Sequence, residues 1–424
     1  MTLLDDLRWR GLLHQVTDEG ALLGRLGAGQ VTGYIGFDPT ADSLHVGHLQ
    51  QVLLLRRLQD AGHRPIALVG GGTGMIGDPG GKSEERNLLD EATVEANRAG
   101  IRRQLSAFLD FDAGRALLDD NLAWLGTAPL LEFLRDVGKV FSVNEMIRKD
   151  SVRTRIDGRD THLSFTEFSY MLLQAWDFLQ LHDRYGCTLQ MGGSDQWGNI
   201  TEGVDLIRRK RGVQAFGLTS PLLLKADGTK FGKTESGAVW LDPARTSPYA
   251  FFQFWLQTPD DEVGGLLRRL TLLGRPEVEA LDAATAERPH VRDAQRALAR
   301  HLTALVHGEE EVARVERAAA VFFTADIAAL DEATLSSVLA DAPSATVTAA
   351  ELDGDLTVAA ALQRAGLTGS VSEGRRAVAQ RGAYVNGTVV DDDRPLSAAD
   401  ALHGRFVVLR RGKRNQAVLV VADR

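Results

Sequence analysis

Cysteine is almost absent from the chain, which has Cys187 alone among its 424 residues. A single thiol cannot form a disulfide within the chain, and it cannot supply a zinc site built on several thiolates. We expect Cys187 to act as a small buried hydrophobic residue. We also expect no metal site built from protein ligands alone.

Long apolar runs are missing as well. No run approaches the roughly 18 residues that a transmembrane helix needs, and charged residues make up 25% of the chain. The first residues include Asp5 and Asp6 and show neither a secretory apolar core nor the basic, acid-poor composition of a transit peptide. These features predict a cytoplasmic protein with no membrane partner.

The chain also lacks a uniform excess of positive charge. Its formal net charge of −9 argues against a uniformly basic nucleic-acid binder. Residues 357–424 nevertheless contain 11 Lys and Arg against 6 Asp and Glu, a net charge of +5, which leaves −14 for the rest of the chain. The basic tail therefore predicts a polyanionic partner for that segment.

The N-terminal half alternates strand and helix patterns. Residues 46–61 carry apolar side chains at helical spacing, and glycines at 70–72 and 192–193 follow two of the predicted strands. The segments that read as buried strands are residues 31–37, 65–69 and 189–191. Such alternation predicts an α/β fold with a parallel sheet and a ligand at the carboxyl ends of its strands.

The pattern changes in the second half. Residues 247–320 are mostly helical, and residues 341–355 are rich in Ala, Ser, Thr and Asp without a sustained amphipathic period. We expect the first segment to form a helical domain and the second to be a linker or a weakly ordered connection. A chain of this length should contain two or three folding units.

The tail has the pattern of a small α+β domain. Two short helices are predicted at residues 357–365 and 373–380. Asn386-Gly387, between β-forming residues, predicts a tight hairpin. A second hairpin is predicted at residues 406–421, and its turn concentrates positive charge.

Two histidines occur where the first predicted strand leads into a helix. His45 and His48 are three residues apart, so a helix would place both on one face, near the free N–H groups and partial positive charge of its first turn. With Thr40 they could surround a polyphosphate. The alternative is a capped helix with two solvated histidines. A zinc site would lack a third ligand.

The glycine-rich segment that follows contains two misleading motifs. Gly72 to Gly77 fits the dinucleotide fingerprint, but Pro79 prevents the helix that this fingerprint requires. The stretch ending at Ser83 resembles a phosphate loop, but Ile76 stands where the first glycine belongs. Asp78 remains of interest, because a carboxylate just past a strand could pair with a ligand amine.

Lysine is rare in this arginine-rich chain, yet Lys225, Lys230 and Lys233 lie within nine positions of a glycine-punctuated loop that continues to Thr234. A compact ammonium suits a point contact to a phosphate that moves during a reaction. A solvated surface loop is the alternative interpretation.

Two polar clusters suit a small ligand. Tyr170, Gln174 and Asp177 recur at helical spacing in an apolar helix, where buried polar side chains need partners. Asp195 and Gln196 follow a predicted strand and its glycines, a position suited to a ribose and a carboxylate. Helix capping by this second cluster is the alternative.

Taken together, these residues resemble class I aminoacyl-tRNA synthetases. His45-Val46-Gly47-His48 looks like the HIGH motif, and Lys230–Thr234 looks like the KMSKS loop with Phe and Gly in place of Met and Ser. With Tyr34–Asp38, residues 165–177 and residues 192–199 in order, the chain resembles bacterial-type tyrosyl-tRNA synthetases over essentially its whole length.

The resemblance implies a Rossmann-like catalytic domain, a helical domain and a small α+β RNA-binding domain similar to a ribosomal-protein module. The corresponding bounds are residues 1–220 for the catalytic domain, 221–246 for the loop region, 247–320 for the helical domain, 321–355 for the linker and 356–424 for the RNA-binding domain.

The resemblance also implies roles for individual residues. The tyrosine-binding residues would be Tyr34, Asp78, Tyr170, Gln174, Asp177 and Gln196. The ATP-binding residues would be Gly36, Asp38, His45, His48, Gly193, Asp195, Lys230 and Lys233. The residues that assist catalysis would be Thr40, His45, His48, Lys230, Lys233 and Thr234. The tRNA-binding residues would be Arg410, Arg411, Lys413 and Arg414.

The implied reaction is the activation of L-tyrosine by ATP with Mg²⁺, followed by transfer to tRNA(Tyr), in a homodimer without a tightly bound cofactor. A tryptophanyl-tRNA synthetase is the nearest alternative, because it shares the fold and both ATP motifs. A noncatalytic RNA-binding protein would need neither the lysine loop nor the histidine pair, and Pro79 argues against a dinucleotide oxidoreductase.

Overall fold

The computed structural model describes residues 2–78, 91–149, 152–153, 156, 163–224, 231–234, 237–321, 325–340, 342–412 and 415–422. The chain divides into two compact units. The first comprises Met1–Asp242 and Thr258–Leu298, and the second comprises Pro243–Gln257 and Ala299–Arg424.

The described strands are, in chain order, β1 Gln15–Val16, β2 Thr32–Phe37, β3 Arg64–Val69, β4 Leu117–Asp120, β5 Cys187–Gly193, β6 Phe216–Ser220, β7 Lys233–Thr234, β8 Gly237–Ala238, β9 Ser344–Val347, β10 Ala383–Val385, β11 Thr388–Val390, β12 Phe406–Arg411 and β13 Asn415–Val421. The strands predicted near residues 31, 65 and 189 are thus confirmed as β2, β3 and β5.

The described α-helices are α1 Leu3–Trp9, α2 Glu19–Ala28, α3 Val46–Asp60, α4 Glu91–Phe108, α5 Leu122–Leu125, α6 Leu130–Asp136, α7 Val143–Met146, α8 Phe165–Tyr185, α9 Trp197–Arg211, α10 Pro248–Leu256, α11 Asp260–Leu270, α12 Arg275–Glu287, α13 Asp293–His307, α14 Glu309–Val321, α15 Glu332–Leu339, α16 Ala349–Leu352, α17 Val358–Arg364 and α18 Val371–Ala379. Among these helices, none combines the length and apolar composition needed to span a bilayer.

The first unit is built on a six-stranded sheet in the order β1-β6-β5-β2-β3-β4. All neighbouring strands pair in parallel except β1, which is antiparallel to β6. From β2 the sheet continues through β3 to β4 on one side, and from β5 it continues through β6 to β1 on the other. Ligands bind at such a switch point, beyond the carboxyl ends of the two central strands. The predicted parallel α/β sheet is confirmed.

The sequence explains why two helices beside this switch point form and where one of them begins and ends. In α8, Ser164 and Glu167 form a capping box at the start, and Gly186 ends the helix with a φ of 66°. In α3, the apolar side chains repeat at helical spacing and are buried against the sheet, Leu49 and Leu53 among them. The polar residues at the start of α3 and those along one face of α8 lie at the same edge of the sheet.

The second unit contains a five-stranded sheet in the order β11-β10-β12-β13-β9. The predicted hairpins are confirmed, and Asn386 and Gly387 turn the first with φ values of 49° and 78°. One face of the sheet packs on α17 and α18.

The expected linker over residues 341–355 is wrong. Residues 344–347 form β9, which pairs in parallel with β13, and α16 follows at once. Val347 and Leu352 are buried in the core of the small domain. The helices predicted for residues 247–320 are present, but they are divided, since α11 and α12 belong to the first unit and α14 to the second.

Candidate active site

A cavity of about 430 Å³ lies at the carboxyl ends of β2 and β5. Thirteen of the residues singled out from the sequence line it. They are Tyr34, Gly36, Asp38, Thr40, His45, His48, Asp78, Tyr170, Gln174, Asp177, Gly193, Asp195 and Gln196. Residues separated by up to 162 positions in sequence thus converge on one site, because parallel strands bring their carboxyl ends to one edge of the sheet.

Two of the buried polar groups that line the cavity are the Tyr34 hydroxyl and the Asp177 carboxyl group. Both side chains are nearly inaccessible, with 1% and 3% exposure, and the Tyr34 ring packs on Phe178 with centroids 5.3 Å apart. Within the described residues, the Tyr34 hydroxyl has no hydrogen-bond partner. A buried hydroxyl without a partner is costly, so this end of the cavity suits a ligand that carries a polar group of its own.

Asp177 is held by two side chains that the sequence did not single out. Trp124 donates its indole N–H to Oδ1 at 2.7 Å, and Asn121 donates its amide to Oδ2 at 2.9 Å. Burial raises the pKa of Asp177 to about 8, while these two hydrogen bonds act in the opposite direction. Burial and the nearby Asp177 charge raise the pKa of Tyr34 well above its usual range.

Asn121 and Trp124 lie after a strand that was not predicted from the sequence. Both follow β4, another parallel strand of the same sheet, and Asn121 comes directly after its last residue. Asn121 also accepts a hydrogen bond from the Gly72 backbone at 2.7 Å. Asn121 therefore connects the loop after β3 to Asp177 on α8 through hydrogen bonds.

The three polar residues predicted to lie on one face of a helix, Tyr170, Gln174 and Asp177, are on α8 and line the cavity. Tyr170 donates its hydroxyl to Asp38 at 2.9 Å, and Asp38 also accepts from the Thr73 hydroxyl at 2.8 Å. Asn199 donates to Gln174 at 2.9 Å. Burial, with Asp38 next, raises the pKa of Tyr170 well above its usual range, so the phenol remains protonated and can donate.

Asp78 and Gln196 meet across the cavity. Gln196 donates its side-chain amide to the Asp78 carboxylate at 2.7 Å, although the two lie 118 positions apart. Asp78 therefore presents negative charge to the cavity beside an amide donor. An amino-acid backbone, with its ammonium and carboxylate, requires this pairing of acceptor and donor.

The histidine pair differs from the expected arrangement. His45 is the N-cap of α3 rather than a residue of the helix, and its Nδ1 accepts from the Gly47 N–H at 3.1 Å. His48 Nδ1 accepts from the His45 N–H at 3.2 Å, and the two rings stack with centroids 4.0 Å apart. Because each Nδ1 is an acceptor, Nε2 is the nitrogen of each ring that can donate.

His48 is neutral at physiological pH. Removal from water, followed by the adjacent His45, lowers the pKa of His48 to about 3. The group at this helix start is therefore a pair of Nε2 donors at the partial positive charge of the first turn. That combination can bind phosphate oxygens.

Glycines leave room for a ligand next to the strand ends. A Cβ on Gly193 would lie 2.6 Å from the Asp195 carboxylate, and one on Gly70 would lie 2.2 Å from Asp38. Any larger side chain would displace these carboxylates from the cavity. Gly36 is exposed to the cavity on β2 and meets nothing within 4 Å.

The lysine loop is described in part. Lys233 and Thr234 form β7, which pairs with β8, and Phe231 lines the cavity beside Leu223. Lys230 lies outside the described residues, as do Lys413 and Arg414 in the tail. The loop therefore reaches the cavity at Phe231, two residues before β7 begins.

The two described tail arginines differ in their surroundings. Arg411 pairs with Glu373 at 2.8 Å and donates to the Leu367 carbonyl at 2.9 Å. Arg410 instead lies over the ring of Tyr384. The prediction that both contact tRNA is not tested by these contacts.

Comparison with known proteins identifies the family. The family described as tRNA synthetases class I (W and Y) matches residues 28–324, and the tyrosine--tRNA ligase SYY-like C-terminal domain matches residues 334–419. The tyrosine--tRNA ligase of Roseiflexus castenholzii is 52% identical over 418 residues, which cover 98% of each chain. That of Streptomyces griseus is 53% identical over 423 residues, which cover 99% of this chain and 98% of the relative.

A solved structure gives the same result. The C-terminally truncated mitochondrial tyrosyl-tRNA synthetase of Aspergillus nidulans superposes with a TM-score of 0.68 at 33% identity, covering 76% of this chain and 94% of that one. The fold of the described sheet agrees with this structure, and the sequence similarity to the two relatives extends over nearly the full length. The chain belongs to the tyrosine--tRNA ligase family of class I aminoacyl-tRNA synthetases.

Proposed function

We propose that the protein activates L-tyrosine with ATP to form tyrosyl-adenylate and pyrophosphate, and then transfers the tyrosine to the 3′ end of tRNA(Tyr). The observation that carries this proposal is the part of the cavity where Tyr34 and Asp177 face the same buried space. A tyrosine hydroxyl would donate to the carboxylate and accept from the phenol. A phenylalanine ring would leave the Tyr34 hydroxyl without a partner and would donate nothing to Asp177, which makes it a poor substrate.

The rest of the amino acid follows from this orientation. The ammonium would pair with Asp78 and lie near Tyr170 and Gln174 on α8, and Gln196 would donate to the carboxylate. Two contacts support this assignment, since Gln196 is already hydrogen-bonded to Asp78 and Tyr170 to Asp38. The network holds the side chains in place before the substrate arrives, which lowers the entropic cost of binding.

ATP would occupy the other half of the cavity. Gly193 and Asp195 would hold the ribose, assisted by Gly36 and Asp38. The phosphates would lie at the start of α3, where His45 and His48 offer Nε2 donors next to the partial positive charge of the helix. Magnesium would enter with the nucleotide as MgATP, bound to its phosphate oxygens.

The first chemical step requires no protein nucleophile. A carboxylate oxygen of tyrosine attacks the α-phosphorus, the bond to the bridging oxygen of the β-phosphate breaks, and negative charge accumulates on the departing pyrophosphate. Thr40, His45, Lys230, Lys233 and Thr234 would donate to these oxygens. Their contribution is positioning and stabilisation of developing charge, which are the largest contributions in reactions of this kind.

In the second step, a ribose hydroxyl at the 3′ end of tRNA attacks the carbonyl carbon of the adenylate and AMP leaves. Residues 1–220 would carry both reactions, with residues 221–246 as the phosphate-binding loop. Residues 247–320 would contribute to the tRNA-binding side, and residues 356–424 would bind tRNA. The net charge of +5 after residue 356 supports the last assignment.

We also propose that the protein is a cytoplasmic homodimer. A cluster of exposed apolar side chains, which we call the apolar patch, supports the dimer. It comprises Leu130, Leu134, Val143 and Phe165, which line one surface cavity, together with Leu131, the neighbour of Leu130 on α6. Leu131 and Phe165 are each 79% exposed. An apolar patch of this kind indicates a protein–protein contact.

ATP–pyrophosphate exchange with each of the twenty amino acids tests the proposed reaction. We expect exchange with tyrosine and none above background with the other nineteen. Exchange with tryptophan alone would instead identify a tryptophanyl enzyme, and no exchange with any amino acid would leave only an RNA-binding protein.

A further inference from the structure

One face of the C-terminal sheet carries a row of partly exposed side chains. Tyr384 on β10 pairs with Val389 on β11 and with Arg410 on β12, and Arg410 pairs in turn with Gln416 on β13. Directly paired residues point to the same face of a sheet. We call these four residues the open row. All four are intermediate in exposure.

The alternation along the strands identifies which face this is. Val385, Val407 and Leu409 point to the opposite face and are buried in the core with α17 and α18. Val408 and Val418, which are two residues from Arg410 and Gln416, share the face of the open row and pack against residues of α15. The open row is therefore the uncovered continuation of an otherwise packed face.

Arg410 lies over an aromatic ring in this row, at stacking distance. Its guanidinium carbon lies 3.6 Å from the centroid of the Tyr384 ring. One of its N–H groups donates to the Gly412 carbonyl at 2.8 Å, which fixes the orientation of the group. Among the described residues, no carboxylate lies within 4.0 Å of Arg410.

Most other arginines of the tail are neutralised. Eight arginines after residue 356 fall within the described ranges. The six with a carboxylate within 4.0 Å are Arg364, Arg375, Arg381, Arg394, Arg405 and Arg411. Arg376 resembles Arg410 in having no such partner in the described part of the chain, but it is exposed on α18. Arg410 therefore combines an uncompensated charge with a fixed plane.

This geometry suits a planar partner better than a phosphate. A guanidinium stacked on a tyrosine ring has one face occupied, and its other face is a flat, cationic surface parallel to the ring. Unpaired RNA bases stack on aromatic rings and on guanidinium planes, and such stacking tolerates different bases. A phosphate oxygen would need only a point charge, which an unstacked arginine or a lysine supplies equally well.

We propose that Arg410, supported by Tyr384, is the position on which one unpaired base of the tRNA stacks. This inference rests on the proposed function, which makes tRNA the partner of the tail. It assigns to Arg410 a stacking role rather than the phosphate contact that its charge alone suggests. Arg411, in contrast, pairs with Glu373 within the small domain.

The test is the dissociation constant of the full-length protein for a fluorescently labelled tRNA(Tyr) transcript at several salt concentrations. Arg410→Ala and Arg410→Lys should both weaken binding about tenfold, because both lose the plane. Tyr384→Leu should have a similar effect, whereas Tyr384→Phe retains the ring and should bind within about twofold of the unsubstituted protein. Arg376→Lys is the matched control and should bind like the unsubstituted protein.

Three outcomes would overturn the inference. Normal binding by Arg410→Lys with weak binding by Arg410→Ala, and a salt slope reduced by about one in the alanine variant, would identify a phosphate contact. Unchanged binding by all variants would show that the stack only stabilises the sheet. Failure of the unsubstituted protein to bind tRNA would refute the proposed function of the tail as well. Thermal unfolding by circular dichroism verifies that each variant is folded.

Discussion

At the scale of single residues, the protonation state of Asp177 depends on Asn121 and Trp124, which donate hydrogen bonds to its side chain. Burial favours the neutral acid and raises its pKa to about 8, whereas hydrogen bonds from Asn121 and Trp124 favour the carboxylate. These donors also hold both oxygens in place. The proposed selection of tyrosine at Asp177 would therefore depend on Asn121 and Trp124, which were not predicted from the sequence.

Replacing Trp124 with Phe should weaken the use of tyrosine. The variant removes the N–H that donates to Oδ1, which leaves a buried oxygen without its partner and raises the pKa of Asp177 further. We expect kcat/KM for tyrosine in ATP–pyrophosphate exchange to fall about tenfold, which corresponds to a loss of roughly 1.4 kcal/mol. Trp176→Phe on α8 is the control and should be near normal. Equal activity of Trp124→Phe and the control would contradict the supporting role.

Some residues of the candidate site could be predicted from the sequence, and others could not. Tyr170, Gln174 and Asp177 were predictable, because polar residues at helical spacing in an apolar helix need a polar environment. Trp124 was not singled out, because a tryptophan near a strand end is usually a core residue, and only the packing of β4 beside β3 brings its N–H to Asp177. Hydrogen bonds between distant segments depend on topology rather than on local pattern.

At the scale of secondary-structure elements, the start of α3 depends on how a histidine caps it. His45 accepts from the Gly47 N–H, and the His48 ring stacks on the His45 ring. Gly47 allows this close approach, because a Cβ there would lie 2.8 Å from His45 Cε1 and 2.9 Å from Nδ1. The glycine thus fixes the position of the donors at the helix start.

Gly47→Ala should therefore slow adenylate formation more than it weakens tyrosine binding. The methyl group displaces the His45 ring, and misplacement of a positioning group by about 1 Å costs roughly 100-fold in rate. Pre-steady-state fluorescence separates the rate of adenylate formation from the tyrosine dissociation constant. Gly27→Ala on α2, where a Cβ meets nothing within 4 Å, is the matched control and should leave both unchanged. Similar losses in both quantities would contradict a role confined to the phosphates.

Elements with strong local patterns were predictable, and those without them were not. The hairpin at Asn386-Gly387 follows from its turn residues. Strand β9 was missed because it is a four-residue edge strand with one fully buried residue, Val347, so it has no alternation to detect. Its partner, β13, lies about 70 positions further along the chain, and this pairing decides its structure.

At the scale of the whole molecule, the proposed homodimer depends on the apolar patch. Leu23 on α2 is 43% exposed, whereas Leu131 is 79% exposed and follows Leu130, which is itself 69% exposed. Isolated surface leucines are normal, and clusters of them are not. The patch is therefore the part of the described surface that we expect a second copy to cover.

Leu131→Asp should convert the dimer to a monomer. A buried, unpaired carboxylate at each half of the contact costs several kcal/mol. Sedimentation velocity at micromolar concentration measures the result, with Leu23→Asp as the matched control, which should remain dimeric. A dimeric Leu131→Asp variant, or a monomeric unsubstituted protein, would contradict the assignment of the patch.

We expect Asp177 and Tyr34 to select tyrosine by its hydroxyl. Tyrosyl-tRNA synthetases as a group discriminate against phenylalanine by roughly 10⁵, and that established figure is the reference here. The most direct measurement is the ratio of kcat/KM for tyrosine to that for phenylalanine in ATP–pyrophosphate exchange, before and after Asp177→Asn. The substitution keeps the side-chain volume and replaces one of the two acceptor oxygens with an amide that only donates.

We predict that the ratio falls by about 100-fold or more, mainly through loss of activity with tyrosine, because an amide cannot replace the carboxylate as acceptor for the substrate hydroxyl while also accepting from Asn121 and Trp124. A ratio that stays within about threefold of the original value, in a variant that is folded and active, would contradict the account.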